Sequence, residues 1–405
     1  MRPARRMGVA VTVLAAAVAA SLLAGPALAS DERIGKGITT GLRAPALGND
    51  TTVHVRLVAS DATVADHDAD ERQIPASTMK VMTAATSLAM LGEEHRFATR
   101  VVEGLTTDRI VLVGGGDPLL SRVDLEDLAQ RTARKLREAG RKSVTVDVDD
   151  FLFPQPSDAR GWAPGDRPTY AAAVRPLAIL GEYSNDTVAT AWSVFVNSLR
   201  AKGVSARQGE RALAPAASRR IAVIRPHTLR EAVGLMLRVS ENNVAENLFR
   251  HVALAQGYPA TWSGAATAAS EVLREMGVQT WRLRLVDGSG LSQDDRLTAE
   301  SLTHVLDIAL ETPALDALID GLPIAGRTGT LVNRFASPPA SCARGDVAAK
   351  TGSLTGVSTL AGITQGKDGQ WRSFAIMVNQ RPSAYPSPAT SLAIDTIAAV
   401  VRGCA

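Results

Sequence analysis

Lysine is scarce in this chain. Only seven of its 44 basic residues are lysine, and the others are arginine. Arginine keeps its charge in proteins and cannot act as a base, whereas a lysine in a suitable environment can lose its proton. In such a chain, lysine indicates positions where a permanent charge would fail. Two of the seven, Lys80 and Lys350, lie in short motifs that also contain serine or threonine.

Histidine and cysteine are too few and too scattered to indicate a metal site. The six histidines show no H-E-x-x-H pattern or other paired spacing, and the two cysteines have no ligand spacing. The glycine run at 114–116 lacks the full G-x-G-x-x-G or G-K-[ST] pattern of nucleotide-binding loops. We therefore expect no metal and no cofactor, and we interpret the glycine run as a strand-ending turn.

The N-terminus has the pattern of a secretory signal peptide. Three arginines precede an apolar run from Val9 to Leu23, and Ala27-Leu28-Ala29 forms a small-x-small cleavage site. Residues 1–29 are thus predicted to direct export to a periplasmic, extracellular or cell-wall space, an uncleaved anchor being the alternative. Their removal takes the formal charge from +3 to zero. We therefore expect no nucleic-acid partner, and no stable membrane anchor once the signal is removed.

The cysteine pair also fits an exported protein. Cys342 and Cys404 are the only two cysteines, and an even pair in a secreted chain predicts a disulfide. The link would tie a C-terminal helix to the loop before Lys350. Closing a loop of about 60 residues contributes about 4 kcal/mol in the chain-entropy description. Two buried free thiols are the alternative.

Three short motifs follow one another in a fixed order. They are Ser77-Thr78-Met79-Lys80, Ser240-Glu241-Asn242 and Lys350-Thr351-Gly352. Each motif alone is weak, but the chain has no second S-x-x-K or S-x-N, and the order matches the set used by penicillin-interacting serine enzymes. Pro75 and an apolar stretch after Lys80 place Ser77 in the first turn of a helix.

The first motif can supply an activated nucleophile. Residues three apart on a helix share one face, so the side chains of Ser77 and Lys80 can touch. Lysine serves as a base only when it is neutral, which requires burial or a neighbouring positive charge such as that of Lys350. We expect Lys80 to take the Ser77 proton, and the Ser240 hydroxyl to lie beside both and pass a proton to the leaving amine.

The other motif residues are predicted to bind the substrate. Asn242 would orient the substrate amide, and Lys350 with Thr351 would hold a free terminal carboxylate. Gly352 would let the strand backbone approach the substrate closely. The backbone N–H groups of Ser77 and Ser353 are the natural pair of donors for the oxyanion.

A near-copy of the third motif, Arg327-Thr328-Gly329-Thr330, could play the same part with an arginine. We rank it second. Lys350 precedes two predicted adjacent strands, 357–364 and 371–378, joined by a Gly/Asp turn, and the near-copy has no such strand behind it.

Taken together, the chain resembles the DacB-like penicillin-binding D-alanyl-D-alanine carboxypeptidases/endopeptidases of low-molecular-mass class C. Besides the three motifs, the resemblance includes Asp287-Gly288-Ser289-Gly290-Leu291-Ser292 and Asp295-Arg296-Leu297-Thr298. The resemblance implies an α/β (α+β) fold with a transpeptidase/serine β-lactamase-like domain, a five-stranded sheet between helices and a smaller inserted β-rich domain. It implies peptidoglycan stem peptides as substrates and β-lactams as covalent inhibitors.

The length and the change in composition along the chain suggest two domains. The segment from about Thr99 to Tyr183 has short strand-like runs and then becomes Pro/Gly-rich, unlike its flanks. We predict a catalytic domain formed by 30–98 and 186–405 and an inserted accessory domain at 99–185. This insert is short for the group.

Two alternative functions remain at this stage. A serine β-lactamase shares the motifs, but one class needs a water-activating glutamate; Glu246 and Glu271 follow the middle motif without a recognisable E-x-x-x-N setting. An inactive wall-binding protein is the other alternative, and the intact Ser77, Lys80 and Lys350 argue against it.

Overall fold

The computed structural model describes residues 30–383 and 387–404. It contains two five-stranded sheets, each with its own helices and hydrophobic core. The predicted signal peptide, residues 1–29, lies outside the described residues. Within the described ranges, none of the helices has the length and hydrophobicity that a membrane span requires.

The first sheet is antiparallel and has the order β2-β1-β10-β9-β8. Its strands are Asp50–Leu57 (β1), Ala62–His67 (β2), Val347–Leu354 (β8), Val357–Gln365 (β9) and Trp371–Asn379 (β10). The two strands predicted after Lys350 are β9 and β10. Residues 357–364 of β9 are all buried, which is typical of a strand covered on both faces.

Helices cover both faces of this sheet, as predicted. On one face lie Met79–Leu91 (α2), Leu229–Val239 (α6), Asn242–Ala255 (α7), Trp262–Glu275 (α8), Ala299–Glu311 (α9) and Asp316–Gly321 (α10). On the other face lie residues 30–41 (α1) and Pro388–Val401 (α11). Helix α2 is the central one, and its residues 79–88 are all buried.

The second sheet has the order β6-β5-β4-β3-β7 and mixes parallel and antiparallel pairs. Its strands are Thr99–Glu103 (β3), Arg109–Val113 (β4), Ser143–Asp149 (β5), Ser205–Arg211 (β6) and Arg220–Ile224 (β7). The helices Arg122–Glu138 (α3) and Thr187–Ala201 (α5) connect the parallel strands and share a core with the sheet. A short helix, Asp166–Thr169 (α4), lies between β5 and α5.

The predicted boundary of the insert at 185 falls inside this second unit. Strands β6 and β7 and helix α5 come after 185, yet they pack with β3, β4 and β5. We therefore propose that the inserted domain extends from Thr99 to about Ile224. The segment 150–185 leaves this sheet and contacts the loop before α9, through a hydrogen bond from Trp162 Nε1 to Asp287.

The predicted disulfide is present. Cys342 and Cys404 are bonded, with their Cα atoms 6.2 Å apart. Cys404 follows α11, and Cys342 lies in a turn just before β8. The link therefore fastens the C-terminal helix to the segment that leads into the third motif.

Candidate active site

Ser77 lies in a single 3₁₀ turn that leads directly into α2. The preceding Ala76 has a φ of 46°, in the left-handed region that non-glycine residues rarely adopt. The turn is held from both sides: Thr78 donates its hydroxyl proton to Pro75 O at 2.7 Å, and Gly290 packs against the Ala76 carbonyl. Such strain persists only where the surroundings fix it, and it is typical of functional sites.

The Lys80 amine lies among three oxygen atoms. Its Nζ is 2.9 Å from Ser77 Oγ, 2.7 Å from Asn242 Oδ1 and 2.8 Å from the backbone oxygen of Ser289. The two carbonyl oxygens can only accept hydrogen bonds. They therefore take the two N–H groups of a neutral amine, which leaves its lone pair for the Ser77 hydroxyl proton. The structure thus places a buried amine within hydrogen-bond distance of the predicted nucleophile.

Burial makes the neutral form of this amine accessible. The Lys80 side chain has no exposure, and this burial lowers its pKa to about 8. The sequence suggested that the charge of Lys350 also contributes. In the structure the charges that act on Lys80 are carboxylates, with Glu246 first, then Asp287 and Glu241, and these raise its pKa against the larger effect of burial.

Ser240 and Lys350 form a second pair. Ser240 ends α6 with a φ of 64° and accepts a hydrogen bond from Lys350 Nζ at 3.0 Å. Lys350 also donates to Thr351 O at 2.7 Å. Burial, followed by the charge of Lys80, holds the pKa of Lys350 well below its usual range. Within the described residues, Ser240 makes no side-chain hydrogen bond to Ser77 or Lys80, so its contact here is with Lys350 alone.

Asn242 connects Lys80 to the segment that leaves the second sheet. It begins α7, and its Nδ2 donates to Tyr170 O at 2.8 Å while its Oδ1 faces Lys80. The side-chain amide has a second N–H proton that can point toward a substrate. Its neighbour Glu241 points elsewhere, since it accepts a hydrogen bond from the Tyr183 hydroxyl at 2.9 Å.

Gly352 lets strand β8 lie against the nucleophile turn. A Cβ at this position would lie 2.8 Å from Pro75 O and 3.0 Å from Ser77 N. The sequence suggested that this glycine gives room to a substrate. The contacts show that the room is taken by the protein's own turn, so Gly352 sets the distance between β8 and Ser77.

The near-copy motif lies beside the third motif. Thr330 and Thr351 are joined by a hydrogen bond of 2.8 Å between their hydroxyl groups. Arg327–Thr330 therefore borders the third motif, and Lys350 rather than Arg327 reaches Ser240.

A cavity of about 310 Å³ opens in front of Ser77. Its wall comes from the first two motifs, the β8–β9 turn and two segments that motif analysis did not place there. The lining residues are Ser77, Ala163, Asp166, Tyr170, Asn242, Gly290, Leu291, Gln293, Ser353, Leu354 and Thr355. Of these two segments, only 290–293 could have been found from the sequence, because its Gly/Ser pattern is part of the family resemblance. The segment at 163–170 carried no such signal.

Most of the chain matches proteins that are already known. The D-Ala-D-Ala carboxypeptidase 3 (S13) family matches residues 36–191 and 178–401. Carboxypeptidase DacB of Mycolicibacterium smegmatis is 36% identical over 355 residues, which cover 82% of this chain and 75% of that protein. Carboxypeptidase Rv3627c of Mycobacterium tuberculosis is 34% identical, with 76% of this chain and 71% of that protein covered.

The fold has a solved counterpart. The crystal structure of penicillin binding protein 4 (dacB) from Haemophilus influenzae superimposes with a TM-score of 0.79 at 20% sequence identity. The match covers 90% of this chain and 99% of that chain. Both sheets are therefore part of an architecture already seen in solved structures.

Proposed function

This chain belongs to the D-Ala-D-Ala carboxypeptidase (S13) family, and we propose that Ser77 is the nucleophile through which it acts. It is a serine-type D-Ala-D-Ala carboxypeptidase/endopeptidase of the penicillin-binding group. One observation supports the assignment of Ser77 above all others. Lys80 Nζ is buried, its two N–H groups face Asn242 Oδ1 and Ser289 O, and its lone pair is left for Ser77 Oγ.

The proposed acylation step is a direct acyl transfer. Lys80 takes the hydroxyl proton of Ser77 while Oγ attacks the carbonyl carbon of the penultimate D-alanine. The C–N bond then breaks, the amine nitrogen of the terminal D-alanine receives a proton, and an ester on Ser77 remains. Once Lys80 is neutral again, water attacks the ester carbonyl and gives a proton to Lys80. The acyl C–Oγ bond then breaks, Lys80 returns the proton to Ser77 Oγ, and the shortened peptide leaves with a terminal carboxyl group.

Ser240 and Lys350 are proposed to act on the leaving side of this reaction. Their contact places a hydroxyl proton next to an amine, which suits delivery of a proton to the departing nitrogen. A substrate carboxylate that arrives near Lys350 and Thr351 favours the charged form of this lysine, because an opposite charge raises its pKa. Lys350 thus becomes a cation when the substrate binds.

The oxyanion is proposed to form between two backbone N–H groups. Those of Ser77 and Ser353 are the candidates, and both residues line the cavity. Preorganised donors of this kind lower the barrier because they need no reorganisation when charge develops.

The substrates of this chain are proposed to be peptidoglycan stem peptides, with β-lactams as covalent inhibitors of Ser77. The family and its carboxypeptidase relatives support this assignment. We also propose that residues 1–29 direct the chain out of the cytoplasm. The disulfide supports an oxidising compartment.

The placement of two glutamates disfavours a β-lactamase that uses a glutamate base. Glu246 is buried and accepts hydrogen bonds from the peptide N–H groups of Gly288 and Ser289, and Glu271 accepts one from the Tyr258 hydroxyl. Both carboxylates are therefore engaged with the protein and do not border the cavity.

Release of D-alanine from a synthetic stem pentapeptide tests the proposal. We expect Ser77→Ala to abolish release. Ser87→Ala is a matched control, because Ser87 lies buried on the same helix and its hydroxyl has no hydrogen-bond partner among the described residues. Full activity of the Ser77 variant, or loss of activity in the control alone, would contradict the assignment.

A further inference from the structure

Carboxyl groups that the mechanism does not use lie buried behind Lys80. They belong to Glu246 on α7 and to Asp287 and Asp295 in the loop that precedes α9. Within the part of the chain that the structure describes, no group of His, Cys, Asp or Glu side chains is arranged to hold a metal ion. Burying a charge is costly unless it is paired or hydrogen-bonded. We therefore expect these carboxyl groups to be held by hydrogen bonds or charged partners.

Both oxygens of the Glu246 carboxylate are used by one stretch of backbone. Oε1 accepts a hydrogen bond from Ser289 N at 2.9 Å, and Oε2 accepts one from Gly288 N at 3.0 Å. A carboxylate that accepts two peptide N–H groups fixes two consecutive peptide planes. Thr83 on α2 holds the same stretch from the other side, by donating its hydroxyl proton to Gly288 O at 2.6 Å.

The clamped stretch also carries the oxygen that orients the base. Ser289 O lies 2.8 Å from Lys80 Nζ. If this oxygen moved, one N–H of the neutral amine would lose its acceptor, and the lone pair would no longer be confined to the direction of Ser77 Oγ. The orientation of Lys80 therefore depends on a carbonyl that Glu246 and Thr83 hold in place.

We propose that Glu246 is a positioning residue for acyl transfer, which clamps the Gly288–Ser289 backbone so that the Ser289 carbonyl aims the lone pair of Lys80 at Ser77. This inference rests on the proposed roles of Ser77 and Lys80. Glu246 itself does not touch the reacting atoms; it acts through the backbone.

Besides holding the backbone, Glu246 acts on Lys80 through its negative charge, and this charge opposes the neutral form of the amine. A carboxylate near Lys80 favours its protonated form, and among the carboxylates Glu246 acts most strongly on this lysine. The other titratable groups that face Lys80 are Glu241, Asp287 and Lys350. Burial and the charge of Asp287 raise the pKa of Glu246 itself to about 8, while its hydrogen bonds to Ser289 and Gly288 and the charge of Arg250 favour the ionised form.

Asp287 and Asp295 hold the rest of the loop. Asp287 accepts hydrogen bonds from Gly290 N at 2.6 Å and Ser292 N at 2.7 Å. Asp295 accepts a hydrogen bond from Val286 N at 2.7 Å, and burial, followed by the charge of Asp287, raises its pKa well above its usual range. The Gly290 N–H shares a peptide plane with Ser289 O, so Asp287 holds that carbonyl on its C-terminal side, while Glu246 holds Ser289 N on its N-terminal side.

The test measures acylation by benzylpenicillin, by intact mass, as a function of pH for Glu246→Gln. A glutamine has one acceptor oxygen, and its NH₂ group must face one of the two peptide N–H groups, so the clamp is half lost. We expect the rate at the high-pH plateau to fall by about 10- to 100-fold, as a small misplacement of reacting groups does. Glutamine carries no charge and does not titrate, so the acid limb loses the ionisation of Glu246, whose pKa is about 8, and should move to lower pH.

Two other variants separate positioning from stability. Thr83→Val removes the opposite side of the clamp without a change of charge, so acylation should slow while the acid limb stays in place. Asp395→Asn removes a buried carboxylate of α11 that pairs with Arg334 and lies far along the chain from Glu246. This variant should lower stability without moving the acid limb.

An unmoved acid limb in Glu246→Gln, with slowing no greater than in Asp395→Asn, would overturn the proposal. If Glu246→Gln does not fold, wild-type rates in Thr83→Val would overturn it as well. Failure of the underlying function is recognised separately, because the wild-type protein would then carry no adduct on Ser77.

Discussion

Gly352→Ala is the substitution whose effect follows most directly from the packing around Ser77. The new Cβ would lie 2.1 Å from Thr359 Oγ1, and 2.8 Å from Pro75 O. The Thr359 hydroxyl could rotate away only by giving up its hydrogen bond to Pro75 O, which is 2.8 Å long. The atoms Pro75 O and Ser77 N belong to the backbone and cannot rotate, so β8 and the nucleophile turn must separate.

The expected cost has a structural and a catalytic part. Forcing extra atoms into a packed site typically costs about 1–3 kcal/mol of unfolding free energy. Displacing the Ser77 hydroxyl by about 1 Å from Lys80 Nζ should slow acylation by about 100-fold. Both parts come from one contact, so they should appear together in this variant.

Urea unfolding and the rate of benzylpenicillin acylation measure the two parts of this prediction. Gly234→Ala is the matched control, because Gly234 lies inside α6 with no neighbouring atom within 4 Å of the added Cβ. Alanine favours a helix over glycine by about 1 kcal/mol, so the control should be slightly stabilised and fully active. Wild-type acylation by Gly352→Ala would refute the argument that this glycine sets the position of Ser77.

Two further predictions concern the base and the disulfide. Because only neutral Lys80 accepts the Ser77 proton, acylation should rise with pH through about 8 and then level off. Lys80→Arg should lower the rate by about 100-fold or more, since arginine stays charged; a flat pH profile, or an active arginine variant, would contradict this. Cys342→Ser with Cys404→Ser should cost about 4 kcal/mol of unfolding free energy, for a link across 62 residues. Acylation by the folded double variant should stay at the wild-type rate, and an unchanged urea midpoint would contradict the stability estimate.

The sequence contained what was needed to predict two strands of the first sheet and the contact between Ser77 and Lys80, but not the contact of Ser240 with Lys350. Helical spacing brings Ser77 within reach of Lys80, and alternating apolar residues followed by a Gly/Asp turn indicate β9 and β10. These features are local: each depends on residues close together in the chain.

The rest depends on contacts between distant segments. The Ser289 carbonyl and Glu246 meet Lys80 only through packing of α2, α7 and the loop at 287–292, and no spacing rule connects them. Strand β6 was missed for another reason. Only one of its seven residues is buried, so it lacks the apolar alternation by which a strand is identified.

The most direct test of the central claim is intact-mass spectrometry of the protein after brief exposure to benzylpenicillin, followed over hours, with the modified peptide mapped. We predict a long-lived adduct of one benzylpenicillin on the peptide that contains Ser77, and none on Ser77→Ala. An adduct on another residue, or no adduct on the folded wild-type protein, would contradict the account. An adduct on Ser77 that vanishes within seconds as benzylpenicillin is consumed would contradict the peptidase assignment in favour of a β-lactamase.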